Sequence, residues 1–192
     1  VFFSKKIEPM GTPWSKTWWK YMEGRLARSL TFTAFDCEMT GLNPKKHDII
    51  AIGALRIRDG RLCPGENFYS LVRPRQTNMT RENVLIHRLG HDRVADAAPA
   101  HEVLPAFLEF VGDSVLLGHC ASLDMAFLNP LAKQLNQPKI LNPVLDTAAL
   151  YKWWRNREDR HGILADDALR LQSICTALNI PQFPAHHAYY DA

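Results

Sequence analysis

Apolar residues recur along this chain in two rhythms, one of four residues and one of two, and the changeover falls near residue 30. Before it, Trp14, Trp18, Met22, Leu26 and Leu30 keep an i, i+4 step after Pro13, which predicts a helix with one apolar face. Lys16, Lys20, Arg25 and Arg28 are interleaved with it. Such a helix either docks on the domain or on a second copy of it, or offers a basic, aromatic surface to nucleic acid or a membrane. Residues 1–30 therefore read as an extension, and 31–192 as the domain. From residue 31 the spacing is that of strands. Leu30 to Cys37 is apolar and β-branched, and Ile49 to Ile57 is nearly continuous apolar, as a central strand is. Asp59-Gly60 predicts a tight hairpin turn into Arg61 to Val72, so three strands form an antiparallel meander ending at Arg73-Pro74.

Past a polar loop the period returns to that of helices. Val103, Leu104, Phe107, Leu108 and Phe110 predict a helix over about 101–110, and Ser114 to Gly118 a short buried strand. Leu123, Phe127, Leu131 and Leu135 repeat at i+4, predicting a helix in which Pro130 marks a kink or restart. Val144-Leu145 reads as a brief strand, with Asp146-Thr147 capping a helix that carries Ala148 to Trp154. A last helix spans 166–179, stopped by Asn179 and Pro181. A meander followed by alternating helices and strands predicts an α/β domain with a mixed five-stranded sheet flanked by helices.

Composition narrows this only a little. A chain of 192 residues with 46% hydrophobic and 22% charged content fits one soluble globular domain. The net charge of +3 mildly favours an anionic partner, more so if the acids are committed to a site. Cys37, Cys63, Cys120 and Cys175 are scattered without zinc-like spacing and read as reduced thiols of a cytoplasmic protein. No apolar run reaches the ~18 residues of a membrane span, and none near the start resembles a signal peptide.

The chemistry lies in the acids. Asp36 and Glu38, two apart at a strand end, point to one face. Two ionised groups in an apolar strand need a partner. Asp124 opens a helix just after a buried strand, where the helix dipole alone would favour an acid, and Asp191 follows His186 and His187. Four carboxylates gathered together would resist ionising unless a positive charge sat among them. All-oxygen clusters suit Mg²⁺ or Mn²⁺, and two such ions roughly 3.5–4 Å apart serve in-line attack on phosphodiesters.

Three stretches then carry a resemblance. Phe35-Asp36-Cys37-Glu38-Met39-Thr40-Gly41-Leu42 resembles the first motif of the DEDDh 3′–5′ exonucleases, the family of the proofreading subunit of bacterial replicative polymerase. Gly118-His119-Cys120-Ala121-Ser122-Leu123-Asp124 resembles the second motif, with Cys120 where Asn is usual and Leu123 where Phe is usual. His186-His187-Ala188-Tyr189-Tyr190-Asp191-Ala192 is similar to the third. Order and spacing agree over about 31–192, leaving out the N-terminal helix.

The resemblance implies a ribonuclease-H-like fold in which Asp36, Glu38, Asp124 and Asp191 hold two divalent ions, Mg²⁺ or Mn²⁺. His186 would be the general base, and nucleoside 5′-monophosphates the product released from a DNA or RNA 3′ end. Met39, Thr40 and Leu42 would line the terminal-nucleotide pocket by backbone contact, hydroxyl contact and base wedging. Helical geometry by itself prefers His187, four residues before Asp191; family register prefers His186. In the family the helix bearing Asp191 continues, so further residues are expected after Ala192, without which the site would be incompletely formed. His119 reads as a structural hydrogen-bonding residue and Asp146 as a helix cap. Trp153-Trp154-Arg155-Asn156-Arg157 reads either as a helix end or as a surface for single-stranded nucleic acid, and Ile86-His87 matches a position near the active site of relatives. DNA is the expected substrate, with RNA trimming or a non-catalytic, polymerase-associated binding module as alternatives. A polymerase contact or self-association through the N-terminal helix is a further expectation.

Overall fold

A computed structural model describes residues 29–75, 89, 91–158, 166–181, 188 and 192. The helix expected before residue 29, the Ile86-His87 loop, His186, His187 and Asp191 lie outside the described residues.

In chain order the elements are β1 (Phe32–Met39), β2 (Ile49–Arg58), β3 (Arg61–Arg73), α1 (His91–Ala95), β4 (Ala98–Pro99), α2 (Ala100–Val111), β5 (Val115–Gly118), α3 (Ser122–Gln134), β6 (Val144–Asp146), α4 (Thr147–Glu158), a 3₁₀ turn (Asp166–Leu169) and α5 (Leu171–Ala177). The strands form one sheet in the order β4-β3-β2-β1-β5-β6. β1 to β3 pair antiparallel, and β1 with β5, β5 with β6 and β3 with β4 pair parallel. This is the expected mixed α/β sheet, with six strands rather than five. The extra one, β4, is two residues long and ends in a proline, too short to carry any periodicity.

The hairpin between β2 and β3 turns at Asp59 (φ 51°) and Gly60 (φ 71°), the pair of left-handed residues that a two-residue turn of matching twist requires. α3 runs without a restart through Pro130. The helix expected over 166–179 is divided instead: Arg170 is extended (φ −66°, ψ 144°) and caps α5, with its guanidinium on Asp167 at 2.7 Å. Asn179 (φ 53°) ends that region as expected, with Ile180 N–H closing on the Cys175 carbonyl at 2.8 Å. Among the described residues no helix is long and apolar enough to cross a membrane.

One face of the sheet presents Phe35, Cys37, Ile52 and Ala54 to Val103, Leu104 and Phe107 of α2 and to Phe127 and Leu128 of α3, forming the main core. On the other face Ile50, Ala51 and Leu71 pack with Leu89, Val94 and Ala188. Ile50 and Ala51 are consecutive yet share that cluster because Ile50 is the extra residue of a bulge: Glu38 pairs with Ala51 and Met39 with Ile49. A buried charge sits on the core face. The guanidinium of Arg56 donates to Thr33 Oγ1 (2.5 Å), to the Val111 carbonyl (3.3 Å) and to the Phe110 carbonyl, and lies 4.5 Å from the Phe110 ring centre. It thereby satisfies carbonyls at the C-terminus of α2, where a cation also suits the helix dipole.

Candidate active site

Strand period places Asp36 and Glu38 on the face of β1 opposite Phe35 and Cys37. Glu38 is buried and Asp36 half-buried. Asp124, in the first turn of α3, is only 4% exposed, and its Oδ1 accepts the backbone N–H of Cys37 at 3.2 Å. A residue 87 positions away along the chain thus meets β1 at the amide between the two strand acids. Burial pushes the Cys37 thiol well above its usual pKa, and the charges of Asp124, Asp36 and Glu38 push it the same way.

Burial also lifts the Asp124 carboxyl to about 7, only partly opposed by its bonds to Cys37 and to its own amide, while Asp146 at the end of β6 raises it further. No Lys or Arg among the described residues pairs with it. Among the described residues no group of three His, Cys, Asp or Glu closes into a metal cluster; the fourth expected ligand, Asp191, lies outside them. The donors that are present fit a hard divalent cation. They are carboxylate oxygens of one sign, and the most buried of them has no countercharge among the described residues.

Delivery of Asp124 depends on the turn from β5 to α3. A methyl group at Gly118 would lie 3.0 Å from Ala121 Cβ and 3.2–3.3 Å from Phe35, so glycine allows β5 and α3 to approach β1. Cys120 has a left-handed backbone (φ 55°). Asn, usual there in the family, tolerates that conformation better than most residues. His119 Nδ1 lies 3.0 Å from Thr147 Oγ1, tying the end of β5 to α4, and Asp146 Oδ1 accepts the Ala149 N–H at 3.1 Å as the cap of α4. Both match their expected structural roles, but the proximity of Asp146 to Asp124 was not foreseen. Trp153, Trp154 and Arg155 are partly buried on α4, with Trp154 and Tyr151 rings 5.7 Å apart.

At the end of β1 a loop closes on itself. Thr40 N–H donates to the Asp48 carbonyl (2.9 Å), and Asp48 N–H to Thr40 Oγ1 (3.0 Å). Asn43 N–H donates to His47 Nδ1 at 3.0 Å, and Arg75 binds the Asp48 carboxylate from its backbone N–H and guanidinium while reaching Gln134 of α3. Thr40 is buried within this brace, so its hydroxyl oxygen faces the loop; Met39 packs against the core, and Leu42 stands 76% exposed. A cavity of about 240 Å³ lies beside the Asp48–Arg75 pair, and none of the site acids lines it.

Two residues that sequence reading passed over complete the acidic face. Asp36 pairs across β1–β2 with Gly53, which pairs across β2–β3 with Tyr69, so Asp36 and Tyr69 project on one face. Tyr69 is 39% exposed; burial raises its phenol, Arg93 of α1 lowers it and Glu38 raises it. No periodicity marks either residue. The hairpin turn alone would set Glu66 opposite Gly53, because the register slides by three residues only at an irregularity beside Leu55 and Arg56.

The sheet order, the meander continued by parallel strands and an acid pair on the central strand define the ribonuclease-H-like class. Within it, a profile of the exonuclease family matches residues 33–192, and the chain belongs to that family, the DEDD-type 3′–5′ exonucleases. DNA polymerase III PolC-type of Oceanobacillus iheyensis is 32% identical over 162 residues, 84% of this chain and 11% of that protein. The chain thus spans about a tenth of the length of such relatives. Among solved structures, E. coli Exonuclease I in complex with a dT13 oligonucleotide superposes with a TM-score of 0.71 at 17% identity, covering 84% of this chain and 38% of that one. A zinc-bound form of the E. coli Exonuclease I complex with single-stranded DNA superposes equally, with a TM-score of 0.71 at 16% identity, 84% of this chain and 38% of that one.

Proposed function

We propose that this chain is a metal-dependent 3′–5′ exonuclease that releases nucleoside 5′-monophosphates from nucleic-acid 3′ ends, with single-stranded DNA as its preferred substrate. One observation carries the reading: Asp124 of α3 reaches the amide between Asp36 and Glu38 and is buried there without a countercharge among the described residues. Asp36, Glu38, Asp124 and Asp191 would hold two ions, Mg²⁺ or Mn²⁺. When bound, they supply the Lewis acidity that makes water a better nucleophile and offsets charge on the leaving oxygen. The residues of the chain do the rest. Leu42, exposed on its braced loop, wedges against the terminal base, while Met39 and Thr40 shape the pocket beneath it. His186 takes the proton of the attacking water, a task suited to an imidazole near neutral pH.

Two likenesses support DNA over RNA: the PolC-type polymerase relatives and the Exonuclease I complex with a DNA oligonucleotide. The PolC-type relatives also support a role beside a polymerase. The decisive experiment is a time course of the purified protein with Mg²⁺ or Mn²⁺ on 3′-labelled single-stranded DNA, duplex DNA and RNA. Mononucleotide release from single-stranded DNA, fastest of the three and abolished by Asp36→Ala, is expected. No release from any strand would refute the reading, and faster release from RNA would reassign the substrate. Loss of activity in His187→Ala but not in His186→Ala would transfer the base to His187.

A further inference from the structure

The acidic site has a problem of its own making. Its substrate is a polyanion, and Asp36, Glu38 and Asp124 repel it until cations intervene. A strand longer than its terminal nucleotide therefore needs positive charge on the protein where the next phosphate passes. On the described part of the acidic face, Arg93 fits that need. It is exposed on α1, in electrostatic range of Tyr69, and no carboxylate among the described residues pairs with it. α1 packs on this side of the sheet through Val94. Tyr69 lies in register with Asp36 across Gly53, two strand spacings or roughly 10 Å away. That distance is within reach of the base of the nucleotide preceding one bound at Asp36. Gly53 between them carries no side chain.

We propose that Tyr69 and Arg93 form the subsite for the nucleotide preceding the 3′-terminal one, with the Tyr69 ring stacking on its base and Arg93 pairing with its phosphate. This rests on the exonuclease reading above and extends it from the reacting nucleotide to its neighbour. Stacking is tolerant of sequence, because every base has a π face, whereas the guanidinium contributes charge and orientation. The subsite thus selects for a single strand: a base paired in a duplex is already stacked on its neighbours and not free to lie on Tyr69. The register slide that brings Tyr69 rather than Glu66 opposite Gly53 is what makes the position aromatic instead of acidic.

The test measures affinity separately from chemistry. In the Asp36→Ala background, where the strand is not consumed, binding of a 5′-fluorescent oligothymidylate is followed by anisotropy across a salt series. Arg93→Ala is expected to weaken binding about ten-fold and to reduce the slope of log affinity against log salt by about 0.7, the value of one phosphate contact on a single strand. Arg93→Lys keeps the slope. Tyr69→Ala weakens binding about ten-fold with the slope unchanged, and Tyr69→Phe stays within two-fold of the parent. In the active protein, Arg93→Ala and Tyr69→Ala lower the ratio of oligonucleotide cleavage to cleavage of thymidine 5′-monophosphate p-nitrophenyl ester at least ten-fold. That ester has no preceding nucleotide. Unchanged affinity and an unchanged ratio overturn the subsite. So does an equal loss in Lys139→Ala, which removes a charge away from this face. Neither result touches the exonuclease reading, which fails separately if the parent protein releases no mononucleotides.

Discussion

Arg56 lies against β1 at Thr33, near the start of the strand, and Asp124 lies against it at Cys37, near its end. Both are charged and buried, at 7% and 4% exposure. The fold treats them differently. Arg56 finds two helix-end carbonyls, a hydroxyl and an aromatic face, with the Glu66 carboxylate 3.8 Å from its Nε. Asp124 finds the amide and thiol of Cys37 and a second carboxylate, Asp146, nearby. A buried charge that the protein itself answers belongs to the scaffold. One that it leaves unanswered is costly unless something from solution completes it, and that cost marks a place for a ligand.

The widest separation between the two sites should appear in activity. Asp36→Ala and Asp124→Asn are each expected to reduce mononucleotide release by at least roughly 1,000-fold while leaving the fold intact, because the electrostatics of the transition state are lost. Arg56→Met should leave the turnover of folded molecules within two-fold of the parent. Equal loss of turnover in Arg56→Met would erase the distinction.

Stability against pH separates them next. The Asp124 carboxyl, raised to about 7 in the fold, titrates near 4 when unfolded, so between those values the folded state holds the extra proton. The contribution of this group to metal-free stability is therefore highest below about pH 4, falls as pH rises to about 7 and is flat above it, a span of up to roughly 4 kcal/mol. Thermal melts across that range in chelator should show the fall. Asp124→Asn should flatten it and raise metal-free stability at pH 8. Added Mg²⁺ should stabilise the parent at pH 8 far more than at pH 5. Destabilisation by Asp124→Asn at pH 8 would make Asp124 a scaffold residue after all.

Arg56→Met leaves the carbonyls of Phe110 and Val111 without their donor and should cost about 3 kcal/mol, read as a lower midpoint in urea. Gly118→Ala should cost about 1–3 kcal/mol through its contacts with Ala121 and Phe35, and should lower activity as well, since it shifts the turn that delivers Asp124. The smallest change is a gain: Cys120→Asn, relieving the left-handed backbone, should raise stability by roughly 0.5–1 kcal/mol.

Much of this was legible in the chain because it depends on neighbours in sequence. Strand period put Asp36 and Glu38 on one face; Asp59-Gly60 marked its turn; Asp146 capped the helix it precedes; and alternating helices and strands after a meander implied the mixed sheet. The errors have physical causes. β4 is held by two backbone pairings to β3 and has no pattern to read. The helix over 166–179 is interrupted where Arg170 turns to Asp167, an ion pair that periodicity does not register. Beyond these errors, Thr40, expected to offer its hydroxyl to a substrate, also accepts the Asp48 amide and braces the loop that exposes Leu42, a contact no periodicity marks.

By itself, then, the sequence determined which residues are acids, which share a strand face and which elements carry them, since each follows from local geometry and side-chain chemistry. Only the tertiary structure decided that Asp124 lands on the Cys37 amide, that Asp146 lies close enough to raise its pKa, and that Arg56 rather than a solvent-facing group answers the end of α2. It also decided that Tyr69, not Glu66, stands in line with Asp36. The reason is common to all four. Each is a contact between segments distant along the chain, and a slide of three residues at one irregularity beside Leu55 and Arg56 reassigns every cross-strand partner beyond it.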